Sequence, residues 1–217
     1  MKVVNLGENN SVLNSFIAEM RDIAVQKDSL RFRKNLERVG EIFAYEISKT
    51  FSYEGTEVTT PLGIAEMSLS PDKIVVASIM RAGLPLHQGL INFFDHAESG
   101  FVSAYRKYGK GGYYEIRADY CTCPSIEGKV LILSDAMVAT GSSIEVALKV
   151  LERDGGTPAR VELVSPICSL SGVEHLQRTL PDGITLWTSA IDEELTSQSF
   201  IIPGLGDAGD LAYGGKV

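Results

Sequence analysis

The sequence predicts an α/β fold with a largely parallel central sheet flanked by helices, and three observations predict it. Four apolar runs, at 73–79 (KIVVASI), 130–133 (VLIL), 161–167 (VELVSPI) and 185–191 (TLWTSAI), suit strands buried on both faces. Stretches with helical spacing separate them. The connections are short, and short βα connections dictate parallel neighbours. At 217 residues the chain is long enough for one such domain with a full core, and two would be crowded. Residues 1–217 are therefore read as a single domain, with no internal repeat or low-complexity stretch.

Composition narrows the function classes. The chain is 44% hydrophobic with no apolar run near the ~20 residues that span a bilayer, so no membrane role is expected. The start, MKVVNLGENN, lacks the apolar core and cleavage site of a secretory leader, and a cytoplasmic location is expected. Cys121, Cys123 and Cys168 match neither a disulfide framework nor a zinc site and are read as free thiols. A net charge of −8 disfavours nucleic acid as a partner. An anionic ligand would have to meet a few positive charges concentrated in its site.

In chain order, Val12, Leu13, Phe16, Ile17, Met20 and Ile23 give an amphipathic helix over Ser11–Val25, capped by Ser11 or Asn10. A second helix, Ser29–Thr50, carries the stripe Phe32, Leu36, Val39, Ile42, Phe43 and Ile47, with Arg31, Arg33 and Lys34 on its solvated face. Residues 1–57 thus form an N-terminal helical segment, placed beside the sheet or at a subunit contact. Val58–Pro61 reads as a short edge strand, because proline withdraws a ladder donor. The strand at 73–79 ends in Met80-Arg81-Ala82-Gly83-Leu84 and is followed by a helix through about Phe94. Arg81 stands where open α/β sheets bind ligands and is a candidate anion contact, a surface ion pair being the other reading. His87, on that helix, is read as packing.

Phe101–Tyr105 is another strand, ending in Arg106 at the same sheet edge if the two strands are parallel. Residues 107–125, with Gly109, Gly111 and Gly112 at a turn, read as a protruding β-hairpin arm. Its aromatics suit arm packing better than base stacking. The most informative stretch is VLILSDAMVATGSSIEVAL, 130–148: strand, loop, helix. The first turn of such a helix offers unpaired N–H groups and the positive end of the macrodipole, so a phosphate suits Ala139-Thr140-Gly141-Ser142-Ser143. Asp135, before the turn, would accept from vicinal hydroxyls, and phosphate plus diol describes a ribose 5-phosphate. The G-x-x-x-x-G-K-S/T and G-x-G-x-x-G motifs are absent here. The helix closes at Arg153-Asp154-Gly155-Gly156, a further helix spans Gly172–Leu180, and Phe200–Asp210 (FIIPGLGDAGD) reads as a loop held by its backbone and Pro203. Such a loop could present main-chain groups to a flat heterocycle.

Four motifs, RAGL at 81–84, YR at 105–106, DAMVATGSS at 135–143 and FIIPGLGDAGD at 200–210, resemble in content and order those of the uracil phosphoribosyltransferases, type I phosphoribosyltransferases. The resemblance spans the N-terminal helices to Lys216. It implies a type I phosphoribosyltransferase-like fold with a C-terminal base-binding segment, 192–217, and transfer of phosphoribose from phosphoribosyl diphosphate (PRPP) to uracil, giving UMP and diphosphate. By resemblance PRPP is bound by Arg81, Arg106, Asp135, Ala136, Met137, Val138, Ala139, Thr140, Gly141, Ser142, Ser143 and Asp207. Uracil is bound by Ile201, Gly206, Asp207 and Ala208, and the catalytic residues are Asp207, Arg106 and Asp135. Mg²⁺ is expected on the diphosphate and ribose hydroxyls with no direct protein ligand. A homo-oligomer, a dimer first, is expected. The sequence departs from the family at Ala136 (usually proline, or a second acid in other type I enzymes), Ser142 (glycine) and Leu211 (arginine), so no regulatory property carries over. The alternatives are a phosphoribosyltransferase for another base and a pyrimidine-sensing, RNA-binding attenuator on the same fold.

Overall fold

A computed structural model describes residues 1–108 and 114–215, with side chains for all of these except 105–108 and 114–117. Strand β1 (Lys2–Asn5) comes first, then helices α1 (Leu13–Arg21) and α2 (Ser29–Ser48). Next are β2 (Glu54–Thr60), β3 (Gly63–Leu69), β4 (Ile74–Met80), α3 (Gly83–Phe93), β5 (Glu98–Tyr108) and β6 (Tyr114–Thr122). The second half runs β7 (Val130–Ser134), β8 (Met137–Val138), α4 (Ser142–Gly155), β9 (Arg160–Val164), β10 (Ile167–Ser169) and α5 (Leu170–Thr179). It closes with β11 (Thr185–Thr188), β12 (Ala190–Asp192), β13 (Glu194–Leu195), β14 (Ile201–Ile202) and α6 (Ala208–Tyr213).

The main sheet has the order β1-β11-β9-β7-β4-β5-β6, and each neighbouring pair is parallel except β5 with β6. Alternate residues of its strands feed two cores. Val76, Ile132, Val164 and Trp187 pack with residues of α1, α2, α3 and α6. Val75, Leu131, Leu133, Leu163 and Leu186 pack with residues of α4 and α5. A strand covered on both faces has no polar side to show, which is why these runs are continuously apolar. From β4 the chain steps outward to β5, whereas from β7 it steps the other way to β9 and β11. The reversal point lies between β4 and β7, and the crevice beyond their carboxyl ends is where such folds bind ligands.

Several local expectations are corrected. The N-terminal segment is not wholly helical, since β1 pairs with β11 at the sheet edge. Helix α1 ends at Arg21 because Asp22 turns to extended backbone, leaving Ile23 76% exposed rather than on the apolar stripe. Its N-cap is Val12, while Ser11 Oγ accepts from Leu13 N at 3.2 Å. Arg33 leaves the solvated face and donates to the carbonyl of Ala212 at 2.6 Å. The short strand at 58–61 is instead a hairpin separate from the main sheet, β2 pairing with β3, in which Pro61 and Leu62 make the turn. Proline there presets the turn and withdraws nothing from a ladder.

The apolar runs 161–167 and 185–191 each break in two. Pro166 interrupts the first, and its carbonyl accepts from Ser189 N and Ala190 N at 3.0 and 3.1 Å where the second breaks. The outer halves, β10 and β12, join β8 in a small parallel sheet beyond the main one. The arm at 107–125 is the antiparallel pair β5–β6, and its tip, with Gly109, Gly111 and Gly112, lies outside the described residues, as does Lys216. His87 is packed, 4% exposed, against the ring of Phe101. The three cysteines are free. No helix among the described residues is long and apolar enough to cross a membrane.

Candidate active site

Strand β7 delivers Ser134, whose hydroxyl donates to Ala77 O of β4 at 3.1 Å, and then Asp135, whose N–H donates to Val164 O at 3.0 Å. Parallel pairing therefore runs one residue past the strand and places Asp135 at the sheet's carboxyl edge. Burial pushes the Asp135 carboxyl up to about 7, and the N–H groups of Ala136 and Met137, which donate to it, offset only part of that. The raised value fits a carboxylate that gains its full set of partners only when hydroxyl donors arrive.

The rest of the cradle is shaped by its neighbours. Ala136 and Val138 are each 1% exposed, so Ala136 serves as filling, and β8 ties Met137 and Val138 to β10. Ser169 Oγ donates to Ala139 O, and Gly172 passes so close that a Cβ there would sit 2.4 Å from the same oxygen. Gly141 is the N-cap of α4 at φ +82°, a conformation that favours glycine, and has no side chain with which to cap the helix. The first turn of α4 therefore keeps its field directed at the loop, where Thr140 Oγ1 and Ser142 Oγ lie 3.2 Å apart. Ser142, the departure from the family's glycine, contributes that second hydroxyl.

Arg81 follows β4 directly, through a cis Met80–Arg81 peptide. The next loop is pressed onto Asp135: a Cβ on Gly83 would lie 2.5 Å from Ser78 Oγ and 3.7 Å from Asp135 Cα. From there the Arg81 guanidinium reaches the C-terminal segment. Nη2 donates to Asp210 Oδ1 at 2.9 Å and Nη1 to Gly214 O at 3.1 Å, while the buried Nε has no hydrogen-bond partner among the described residues. Arg81 thus ties the connection between β4 and α3, whose Gly83 lies beside Asp135, to the GLGDAGD tail. Arg106 also lies toward the carboxyl edge: Met80 pairs with Ser103 of β5, and the backbone of Arg106 follows three residues on. Its side chain is outside the described residues.

The tail corrects the expectation of a continuous loop. Residues 203–207 are irregular, but β14 precedes them and α6 begins at Ala208. Asp207 caps that helix, its Oδ1 accepting from Asp210 N at 3.0 Å, and Ala208 and Ala212 are buried. A cap and two buried alanines are enough to form a six-residue helix that glycine content alone argues against. Ile201 and Ala208 are buried with Leu205, and Gly206 is exposed at φ +91°. Arg33 secures the far end, its guanidinium 5.8 Å from the centre of the Tyr213 ring.

Sequence reasoning missed Asp210 as the partner of Arg81, Arg33 as a hold on α6, and the pair Arg21 and Asp192, which meet at 2.8 Å beside Gly204. Pairs 129 to 183 residues apart leave no local signal. A separate cavity of about 470 Å³, lined by Arg33, Lys34, Pro85, His87, Phe101 and Tyr213 among others, lies between α2, α3 and β5. Neither the 135–143 loop nor residues 201–208 line it.

A family model described as uracil phosphoribosyltransferase matches residues 8–215. A protein of Porphyromonas gingivalis named uracil phosphoribosyltransferase is 51% identical over 217 residues, covering 100% of both chains. The solved structure of the AQ2163 protein from Aquifex aeolicus is similar at a TM-score of 0.87, with 28% identity over 99% of each chain. A hypoxanthine phosphoribosyltransferase from Staphylococcus aureus, 13% identical at a TM-score of 0.51 over 86% of this chain and 83% of its own, shares the fold.

Proposed function

The chain belongs to the uracil phosphoribosyltransferase family, and from that premise we propose how its crevice works. The enzyme makes UMP: uracil N1 bonds to C1′ of PRPP as the bond from C1′ to the diphosphate oxygen breaks. The leaving group carries off the bonding pair, and the N1 proton passes to solvent or a nearby base. Positive charge builds on C1′ and negative charge on the departing diphosphate, so alignment and charge stabilisation carry the catalysis.

In our reading residues 139–143 hold the 5-phosphate at the start of α4, and Asp135 accepts from the ribose hydroxyls. Arg81 and Arg106 hold the diphosphate, being permanently charged and suited to paired contacts with phosphate oxygens. Ile201, Gly206 and Ala208 read the uracil edge through main-chain groups, and Asp207 stands between base and PRPP. Mg²⁺ would be held by the diphosphate and the ribose hydroxyls with water completing its shell, and Asp135, an acceptor for those same hydroxyls, suits an ion that commonly takes few protein ligands. When bound, the ion would neutralise part of the diphosphate charge. We further assign a homodimer in the cytoplasm. In support, the β2–β3 hairpin exposes Leu62, Ile64, Met67 and Leu69, a density of apolar surface that a second copy would cover.

The observation that supports the reading is the Arg81–Asp210 ion pair, which ties the connection whose Gly83 lies beside Asp135 to the tail. The deciding experiment is UMP formation from uracil and PRPP with Mg²⁺, for the native enzyme and for Asp135→Asn, Arg106→Ala and Asp207→Ala. We expect the first two to lose PRPP affinity or turnover and the third chiefly turnover. Native rates in all three would overturn the residue assignments, and a preference for another base in a panel would overturn uracil.

A further inference from the structure

We propose that Arg21 and Asp192 are positioning residues for the base: their ion pair fixes the turn at Gly204, and through it the register of the loop that reads uracil. The proposal rests on the reading that residues 201–208 meet the base.

Arg21 is the last residue of α1 and Asp192 the last of β12, and they come together across 171 residues of sequence. The contact is bidentate, Nη1 to Oδ2 at 2.8 Å and Nη2 to Oδ1 at 2.9 Å, with the two side chains only 22% and 9% exposed. A pair this well covered is held in one geometry, unlike a solvated surface pair. Its further hydrogen bonds go to one residue of the tail. Arg21 Nη1 also donates to Gly204 O at 3.0 Å, and Gly204 N donates to Asp192 Oδ2 at 2.9 Å. Both backbone polar groups of Gly204 are therefore taken by a single ion pair.

The flanking residues are anchored separately, Ile201 and Ile202 by pairing with β13 and Leu205 by burial, and the ion pair holds the turn between them. Gly204 sits at φ +53°, and a Cβ there would be 2.1 Å from Ile201 O, so no other residue fits. Leu205, next along, is buried, and its carbonyl accepts from Gln26 Nε2 at 3.2 Å, a contact supplied by the same N-terminal region. A site that reads a flat heterocycle by main-chain N–H and C=O groups has no side-chain rotamers to adjust. Placement of the backbone is then the whole of its specificity, and it must be supplied from outside the loop. The 135–143 loop makes no hydrogen bond to Arg21, Asp192 or Gly204; its link to Asp192 is at one remove, through β10, which pairs with β8 on one side and β12 on the other. Loss of the brace should thus separate the two substrates.

The test is steady-state kinetics of UMP formation, with KM for uracil and for PRPP measured separately in Arg21→Met, Arg21→Lys, Asp192→Asn and Gly206→Ala. Arg21→Met is expected to raise the uracil KM about tenfold or more, as displacement of a reading surface by a fraction of an ångström does, while the PRPP KM stays within about twofold. Asp192→Asn, of the same shape and able still to accept from Gly204 N, should show the same split to a smaller degree, and Arg21→Lys should recover part of the loss. If Arg21→Met does not fold, those two milder variants decide. Gly206→Ala adds backbone strain inside the loop at φ +91° with no new contact, and its uracil KM reports on the underlying reading. A native uracil KM in Gly206→Ala would remove the premise. A raised value there, together with native or equally shifted KM values in the Arg21 and Asp192 variants, would leave the premise standing and overturn the brace.

Discussion

The two halves of the crevice are held in different ways. The sugar-phosphate loop, 135–143, grows directly out of a buried strand and into a helix, and its shape follows from consecutive residues plus one adjacent strand pair. The C-terminal segment, 201–214, buries Ile201, Leu205, Ala208 and Ala212 and is fixed besides by side chains distant in sequence, among them Arg21, Gln26, Arg33, Arg81 and Asp192. A loop that is the continuation of core elements is stiff by inheritance. The long-range ion pairs that pin the second segment can be altered without touching the core, so substitutions at those pairs should separate the two halves.

The largest effect expected is on stability, at Asp135. Its ordinary carboxyl value is about 3.9, and burial lifts it to about 7 in the folded chain. Between those values the folded state holds a proton that the unfolded state has released, so stability falls as pH rises from 4 to 7. The loss is roughly 2–4 kcal/mol, and Asp135→Asn, unable to ionise, should escape it. Urea unfolding at pH 5 and pH 8 measures this: the variant's advantage should be larger at pH 8, and an equal advantage at both would remove the strained carboxylate from the account.

The same substitution should lower kcat/KM for PRPP about a hundredfold through loss of charged acceptor oxygens for the ribose. An unchanged PRPP dependence would break the assignment of the cradle. Next comes Gly141→Ala, where a Cβ would lie 3.0 Å from His175 Cδ2 and Leu176 Cγ, at a positive φ besides. A loss of about tenfold in kcat/KM for PRPP and about 1–2 kcal/mol of stability is expected, read by kinetics and thermal melting. Smallest is Arg33→Met, which removes the donor to Ala212 O and leaves the cradle alone. Uracil KM should rise about three- to fivefold, the worth of one partly exposed hydrogen bond, with PRPP KM unmoved. A PRPP effect as large as the uracil effect would show that the halves are not separable.

Much of this was legible in the sequence, unevenly. The strands at 73–79 and 130–133 and the phosphate turn at 139–143 could be read because a buried parallel strand must be apolar throughout, and because glycine and hydroxyl residues mark a helix start that binds anions. The hairpin at 54–69 was only half seen. Its residues are exposed on both faces, so no alternation of apolar and polar positions announces it. Helix α6 was read as loop, since its glycine and aspartate disfavour a helix locally. What permits it is a cap at Asp207 and burial of Ala208 and Ala212.

The sequence by itself determined the α/β class, the strand–loop–helix cradle and the residue types of both halves of the crevice, because periodicity and turn chemistry act between near neighbours. Only the tertiary structure decided which partners those residues take. Arg81 is placed at a strand end by the sequence, and the fold gives it Asp210 and Gly214 as its protein partners. Arg21 and Asp192 carry no motif, and the packing of α1 against the end of the sheet brings them onto Gly204. Ion pairs between residues more than a hundred positions apart are set by the path of the chain through space, and that path is a property of the whole core.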